Sequence, residues 1–381
     1  MPTLASHIPA VPASGIRRIF EVASRLDDVI GLHVGEPDLP VAPHIIEAAR
    51  QAWAEDDTNY TANGGIAPLR RAIVRKLAER NGLHVDVEQV WVTVGAVQAL
   101  HQALGLLVRA GDEVLVPDPG YTSFTMSTRL LDAVPVPYTL RPDREFLPSV
   151  EELEHLVTDR TRVLIVNSPS NPLGRVFPER TLRELLEFAR EHDLWIISDE
   201  VYEHFTYADP HVSIASLDED DRVFTAFSFS KSYAMTGLRV GYLVTPHGLA
   251  ETMRTVQETT ISCVSVPDQR AAVAALEGEQ EHVAAAKRHY LENLEAACAA
   301  LDARGIRYLR PTGAFYLWVD VSHVSGGDVA QWCEGFVVEQ RVALAPGSAF
   351  GRSGEGWVRV SLASRREHIL EGLSRIPAPP A

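Results

Sequence analysis

Lysine is nearly missing from this chain: of 35 basic residues only Lys76, Lys231 and Lys287 are lysines, and the rest are arginine. Cysteine is as sparse, and Cys263, Cys298 and Cys333 lie too far apart to suggest a disulfide framework or a metal cluster. Long apolar runs are absent. The longest, such as 90–94 and 194–197, fall far short of the roughly 20 residues that a membrane span needs. The N-terminus, Met1-Pro-Thr-Leu-Ala-Ser-His7, has neither the basic stretch nor the apolar core of a secretory signal, so a cytoplasmic protein is expected. A formal net charge of −16, with no block rich in Lys and Arg, argues against nucleic acid and anionic membranes as partners. No Gly-x-Gly-x-x-Gly follows a predicted strand and no phosphate-binding P-loop motif is present, which removes the fingerprints of nicotinamide, flavin and nucleotide sites.

What is present suits a globular chain. A length of 381 residues with 46% hydrophobic composition supports a large core and about two domains. Seven short apolar runs, at 90–94, 113–116, 134–136, 162–166, 195–198, 223–227 and 241–244, alternate with helical stretches, among them 182–191 and 250–255. That pattern predicts an α/β domain with a mostly parallel seven-stranded sheet sandwiched by helices. From 271 to 304 an Ala/Glu/Arg-rich stretch predicts a helix, and the later runs around Phe315-Tyr-Leu-Trp and Trp357-Val-Arg-Val predict a smaller α+β unit.

Ligands of open α/β sheets gather beyond the carboxyl ends of the strands, and here those ends are rich in reactive groups. Lys231 follows the 223–227 run in Ser228-Phe-Ser-Lys231, and its rarity suggests a task that arginine cannot perform. An amine can lose its proton and attack a carbonyl carbon, whereas a guanidinium stays protonated. A lysine Schiff base with pyridoxal phosphate would need a carboxylate against the pyridine nitrogen, and Asp199, ending the 195–198 run, fits; it could equally cap a helix. Tyr202 and Asn171 could reach the ring oxygen, although a core tyrosine and an Asn-Pro turn are the ordinary readings. Gly95-Ala96-Val97 opens a helix whose N–H groups could face a phosphate, joined by Arg239 and the Ser228 hydroxyl; a surface ion pair is the alternative for Arg239. Arg359, a polar position in an apolar strand, could clamp a carboxylate or face solvent.

Together these residues resemble the class I, aspartate aminotransferase-like, aminotransferases of fold type I over nearly the whole chain. The matching stretches are Ser14-Gly-Ile-Arg17, Gly35-Glu-Pro-Asp38, Tyr60 to Gly65 with Leu69-Arg70, Gly95-Ala96, Pro119-Gly-Tyr121, Asn171-Pro-Leu-Gly174, Asp199-Glu-Val-Tyr202, Ser228-Phe-Ser-Lys231, Gly237-Leu-Arg239 and Arg359-Val-Ser-Leu. The resemblance implies a large cofactor domain over 45–270, an N-terminal arm over 1–44, and a small domain, built from both chain ends, completed by 271–381. It implies pyridoxal 5′-phosphate held by Lys231, Asp199, Tyr202, Asn171, Ser228, Arg239 and residues 95–97, with Tyr121 stacked on its ring. It also implies a homodimer in which Tyr60 reaches the neighbouring subunit's cofactor phosphate. Gly35, Asn171 and Arg359 would hold the α-carboxylate of an amino acid, and Lys231, with Asp199 and Tyr202, would serve ping-pong transfer to a 2-oxo acid.

Two departures stand out. Where the family often has Ser, Thr or Lys after Gly-Ala, this chain has Val97, which favours neutral or aromatic donors over dicarboxylic ones. Leu238 replaces the tryptophan common before the phosphate arginine. Ile16, Val97, Cys263 and Val264 are expected to line the side-chain pocket. The same fold also hosts elimination, decarboxylation and cyclisation, and non-catalytic regulatory proteins that bind the cofactor, and these remain the alternatives.

Overall fold

The computed structural model describes residues 3–380. Seven strands form its main sheet: β1 (Val90–Thr93), β2 (Glu113–Asp118), β3 (Val134–Thr139), β4 (Thr161–Asn167), β5 (Trp195–Asp199), β6 (Val223–Ser228) and β7 (Gly241–Val244). Their spatial order is β1-β7-β6-β5-β4-β2-β3. Strand β7 runs antiparallel to both neighbours and the other pairs are parallel. Helices cover both faces, so β1, β2 and β7 are buried along their whole length. This explains why the strands read as continuous apolar runs rather than as alternating ones. Pro135 and Pro137 sit in β3, an edge strand, where a missing N–H interrupts no ladder.

Five of the strands, β2 to β6, extend one to three residues past their predicted ends, and in β4, β5 and β6 it is a polar residue, Asn167, Asp199 or Ser228, that continues the ladder. Strand β1 instead ends one residue early at Thr93, and β7 ends at Val244 as predicted. The register sets Asn167 beside Asp199, Asp199 beside Ala226, and Ser228 beside Gly241, so these polar ends share one rim of the sheet.

The predicted helix over 271–304 is two helices, Val266–Glu277 and Glu281–Asp302. Gly278 parts them in extended conformation, and a Cβ there would come within 2.5 Å of the His44 ring. The first helix spans residue 270, and its Ala271, Ala272 and Ala275 pack with Val90 and Val92 of the main sheet.

A second, four-stranded antiparallel sheet comprises β8 (Tyr308–Leu309), β9 (Tyr316–Asp320), β10 (Ala345–Pro346) and β11 (Trp357–Ser361) in the order β10-β11-β9-β8. Its core draws on both chain ends: Ile19 and Leu32 pack with Tyr290, Val337, Val360 and Ile376. Ile30–Gly31 pairs in parallel with Val342–Ala343, fastening the N-terminal segment to this unit.

Candidate active site

The polar strand ends and the small sheet enclose a cleft of about 280 Å³. Lys231, at its floor, donates from Nζ to the carbonyl oxygen of Gly35 at 2.7 Å. Burial, aided by the positive charge of Arg359, brings the Lys231 amine down to about 8. An amine with that pKa is neutral in roughly a tenth of molecules at pH 7, which makes it available as base or nucleophile.

Asp199 ends β5 and caps no helix, since a turn follows it. Its Oδ1 accepts from the Val201 N–H at 3.3 Å. Burial, with the Glu200 carboxylate beside it, pushes Asp199 up to about 7. A carboxylate in that condition gains most from a cationic or N–H-bearing partner, which would restore its charge.

Arg359 does not face solvent: it is 3% exposed in β11. It donates to Asn171 Oδ1 at 2.9 Å and to the His33 carbonyl at 2.6 Å. Its guanidinium lies 4.2 Å from the ring centre of Tyr316. Its Nε is buried without a hydrogen-bond partner among the described residues, and a buried N–H on a cation is costly unless an anion meets it. The Tyr316 hydroxyl is 2.7 Å from that of Tyr202, and a Cβ on Gly35 would fall 1.9 Å from it. Gly35 therefore keeps the cleft open at the one place where Tyr316 leaves no room for a side chain.

At the opposite end, Gly95 opens the helix Gly95–Leu107 with φ +70°. That helix buries Ala96, Ala99, Leu100, Ala103 and Leu104, the spacing of one helical face, and its first-turn residues Ala96 and Val97 line the cleft. A Cβ on Gly95 would come within 2.5 Å of the Arg239 guanidinium, and one on Gly241 within 2.7 Å of the Gly95 backbone. The start of a strand and a helix terminus thus meet without side chains beside an arginine. Arg239 itself has φ +56°, a strained value for a residue with a Cβ, and donates to the Thr236 carbonyl at 2.9 Å. The bare backbone, helix terminus, arginine fork and Ser228 make a cradle suited to a phosphate.

The cleft collects Ile16, Gly35, Ala96, Val97, Tyr121, Asn171, Asp199, Tyr202, Ser228, Lys231, Arg239 and Arg359 from the residues singled out in the sequence, with Gly95 directly behind Arg239. Tyr60 stays apart, 91% exposed on the surface of the chain. Cys263 and Val264 do not line the cleft, and Val264 packs instead in the apolar cluster of Val92 and Phe229. Sequence reasoning missed Tyr316, Ser230 and Thr236. Ser230 and Thr236 flank Lys231 and Arg239 and were reachable by proximity. Tyr316 carried no such signal, because it looks like any aromatic residue of an apolar strand.

Among the described residues no helix is long and apolar enough to cross a membrane. The sequence profile of the family described as "Aminotransferase class I and II" matches residues 27–376. An aspartate aminotransferase of Pyrococcus abyssi is 38% identical over 378 residues, covering 98% of this chain and 97% of the relative. An aromatic-amino-acid aminotransferase of Thermococcus litoralis is 37% identical over 378 residues, with 98% and 97% covered. The solved structure of Thermus thermophilus aspartate aminotransferase with maleate superimposes with a TM-score of 0.93 at 34% identity, covering 98% of this chain and 99% of that one. The chain belongs to the class I and II aminotransferases, as a class I enzyme that depends on pyridoxal phosphate.

Proposed function

We propose that this aminotransferase takes its amino group from a neutral or aromatic L-amino acid and passes it to a 2-oxo acid by a ping-pong mechanism. The observation that carries the site assignment is the shared cleft of Lys231, Asp199 and Arg359. The residues fit the cofactor: the Gly95 and Arg239 cradle suits its phosphate, and buried Asp199 suits its ring nitrogen. When bound, pyridoxal phosphate supplies an aldehyde carbon that amines can join and an electron-poor ring that stabilises a carbanion.

The chain's own groups divide the remaining work. Lys231 Nζ would hold the cofactor and, once displaced by the donor's amine, take the proton from the donor's Cα and return it later in turnover. Its pKa near 8 suits both tasks at neutral pH. Arg359, held between Asn171 and the His33 carbonyl, would receive the α-carboxylate with the remaining N–H groups of its terminal nitrogens. Tyr202 would donate to the ring oxygen, and Tyr121 would cover the ring. Gly35, Asn171 and Ile16 would complete the substrate walls.

The donor preference rests on the lining. Ile16, Val34, Val97 and Leu100 form an apolar side, and the cations of the cleft, Lys231, Arg239 and Arg359, are all assigned elsewhere. Among the described residues, a side-chain carboxylate finds no unassigned counter-charge in the lining of the cleft. The exposed ring of Tyr60, with exposed Trp53 and Ile46, supports the homodimer in which Tyr60 serves the neighbouring site. Three free cysteines support a cytoplasmic setting.

A panel of donors with 2-oxoglutarate, read as the 2-oxo acid released, tests this reading. Phenylalanine, tyrosine or leucine should give the highest kcat/KM. Aspartate at the head of the panel would overturn the donor preference, and initial-rate plots that intersect rather than run parallel would overturn the ping-pong order.

A further inference from the structure

Lys76 lies outside the cleft, yet it too is a lysine in a chain that uses arginine almost everywhere. Its side chain is 10% exposed, and that of Glu203, its ion-pair partner, 7%. Around Nζ stand the Glu203 carboxylate, the Tyr242 hydroxyl at 3.1 Å and the face of the Phe227 ring at 4.4 Å. An ammonium carries three N–H groups and no acceptor, and the site offers a carboxylate, a hydroxyl and a π face. A guanidinium, with five N–H groups in a rigid plane, would leave donors bare here. The other Glu203 oxygen accepts from Asn81 at 2.7 Å. Burial alone would raise the Glu203 carboxyl, but the Lys76 charge, with His204 and His211, holds it well below the usual carboxylate range.

The pair joins the two chain segments that carry the chemistry. Glu203 sits on the turn that starts at Asp199 and carries Tyr202, a turn tied to β6 by the Glu200 N–H on the Ala226 carbonyl at 3.0 Å. Its near end is fixed as well, since Glu200 accepts from Ser198 and Ser213 at 2.9 and 3.0 Å and pairs with His211 at 2.8 Å. Phe227 immediately precedes Ser228 and lies four residues before Lys231, and it stacks on Tyr242 of β7 at 4.9 Å. Lys76, from the helix Ala67–Asn81, reaches both segments at once. A buried ion pair is weak evidence of stabilisation, because well-packed apolar residues often serve the fold as well. A geometric role accounts better for one built on three donors and three matched acceptors.

We propose that Lys76 is a positioning residue, which through Glu203 and Phe227 sets the turn bearing Asp199 and Tyr202 against the strand end leading to Lys231. This rests on the site assignment above for its effect on turnover, but not for its effect on the turn. The double variant Lys76→Met/Glu203→Gln removes both charges and keeps shape and the Asn81 contact. In the cofactor-free chain, amides of 200–205 should exchange roughly tenfold faster, with the Glu281–Asp302 helix unchanged as internal control. In the holoenzyme, kcat should fall roughly tenfold or more, with donor KM within about twofold, because the carboxylate clamp is on other elements. The pH midpoint of the cofactor's visible absorbance should move as well. Wild-type exchange over 200–205 overturns the proposal, and so does faster exchange with kcat and midpoint unchanged, which would leave the pair a purely structural feature. If the double variant does not accumulate as folded protein, Tyr242→Phe decides by the same readouts, since it removes one acceptor from Lys76. A failed site assignment shows separately, as normal cofactor absorbance in a Lys231 variant.

Discussion

Lys231 Nζ is anchored on the Gly35 carbonyl at 2.7 Å, a contact between residues 196 apart in sequence that ties the floor of the cleft to the N-terminal segment. The bond fixes the amine without neutralising it, and burial beside Arg359 lowers its pKa to about 8. Both Lys231→Ala and Lys231→Arg should fold yet lose the cofactor's covalent visible absorbance, with turnover lower by roughly 10²- to 10⁴-fold. The arginine variant is the sharper test, because it keeps the charge and loses only the amine. Normal absorbance in Lys231→Arg would remove the residue from its assigned role.

Asp199 gives a prediction whose sign follows from linkage. Its folded pKa, about 7, lies above the ordinary carboxylate value of 3.8, so between those limits the folded chain holds a proton that the unfolded chain has released. The residue's contribution to stability therefore falls as pH rises through that window and stays unfavourable above it. Asparagine resembles the protonated acid and carries no such penalty. In the cofactor-free chain, Asp199→Asn should raise stability at pH 8 by on the order of 1–4 kcal/mol, and by clearly less at pH 5. The same variant should lose turnover. Thermal melts at the two pH values check this, and an equal gain at both would contradict the buried, partly protonated acid.

Most of the main sheet was legible because parallel strands buried on both faces leave continuous apolar runs, and all seven runs became strands. The strand ends were harder to place, since Asn167, Asp199 and Ser228 look like loop residues until their ladder partners are known. Gly278 parts a helix that composition alone continued: its backbone is extended there, and a neighbouring His44 leaves no space for a Cβ. Within the site, Lys231 was visible through rarity and Arg359 through contrast with its apolar strand. Tyr316 was not visible: its role arises from Arg359, Tyr202 and Gly35 converging on it from three distant segments. Val264 was misplaced because the sequence cannot tell which side of a cluster a small apolar residue faces.

Arg359 should separate substrate binding from cofactor binding. Each terminal nitrogen of its fork donates one bond, to Asn171 Oδ1 and to the His33 carbonyl, which fixes the plane of the guanidinium and leaves further N–H groups for a carboxylate. Arg359→Ala should weaken donor binding by roughly 2–5 kcal/mol, seen as a KM at least tenfold higher, while cofactor affinity changes little. Arg359→Lys should fall between the two, because it keeps the charge but not the bidentate geometry. Donor KM unchanged in Arg359→Ala would place the carboxylate elsewhere.

Val97 should set how the cleft treats a charged side chain. It is 43% exposed in the first turn of the helix Gly95–Leu107 and lines the cleft together with Ile16 and Leu100. Val97→Lys would place a cation there, and the helix terminus opposes it only slightly, by roughly 0.3–1 kcal/mol. Because the position is partly open to water, the new pair with a substrate carboxylate is discounted to about 1 kcal/mol. The ratio of kcat/KM for aspartate over phenylalanine should then rise roughly five- to tenfold. The ratio is the informative quantity, since it cancels any general loss of activity from the substitution. If it stayed constant, the donor's side chain would not lie against this turn, and the apolar lining of Ile16, Val97 and Leu100 would no longer explain the proposed preference.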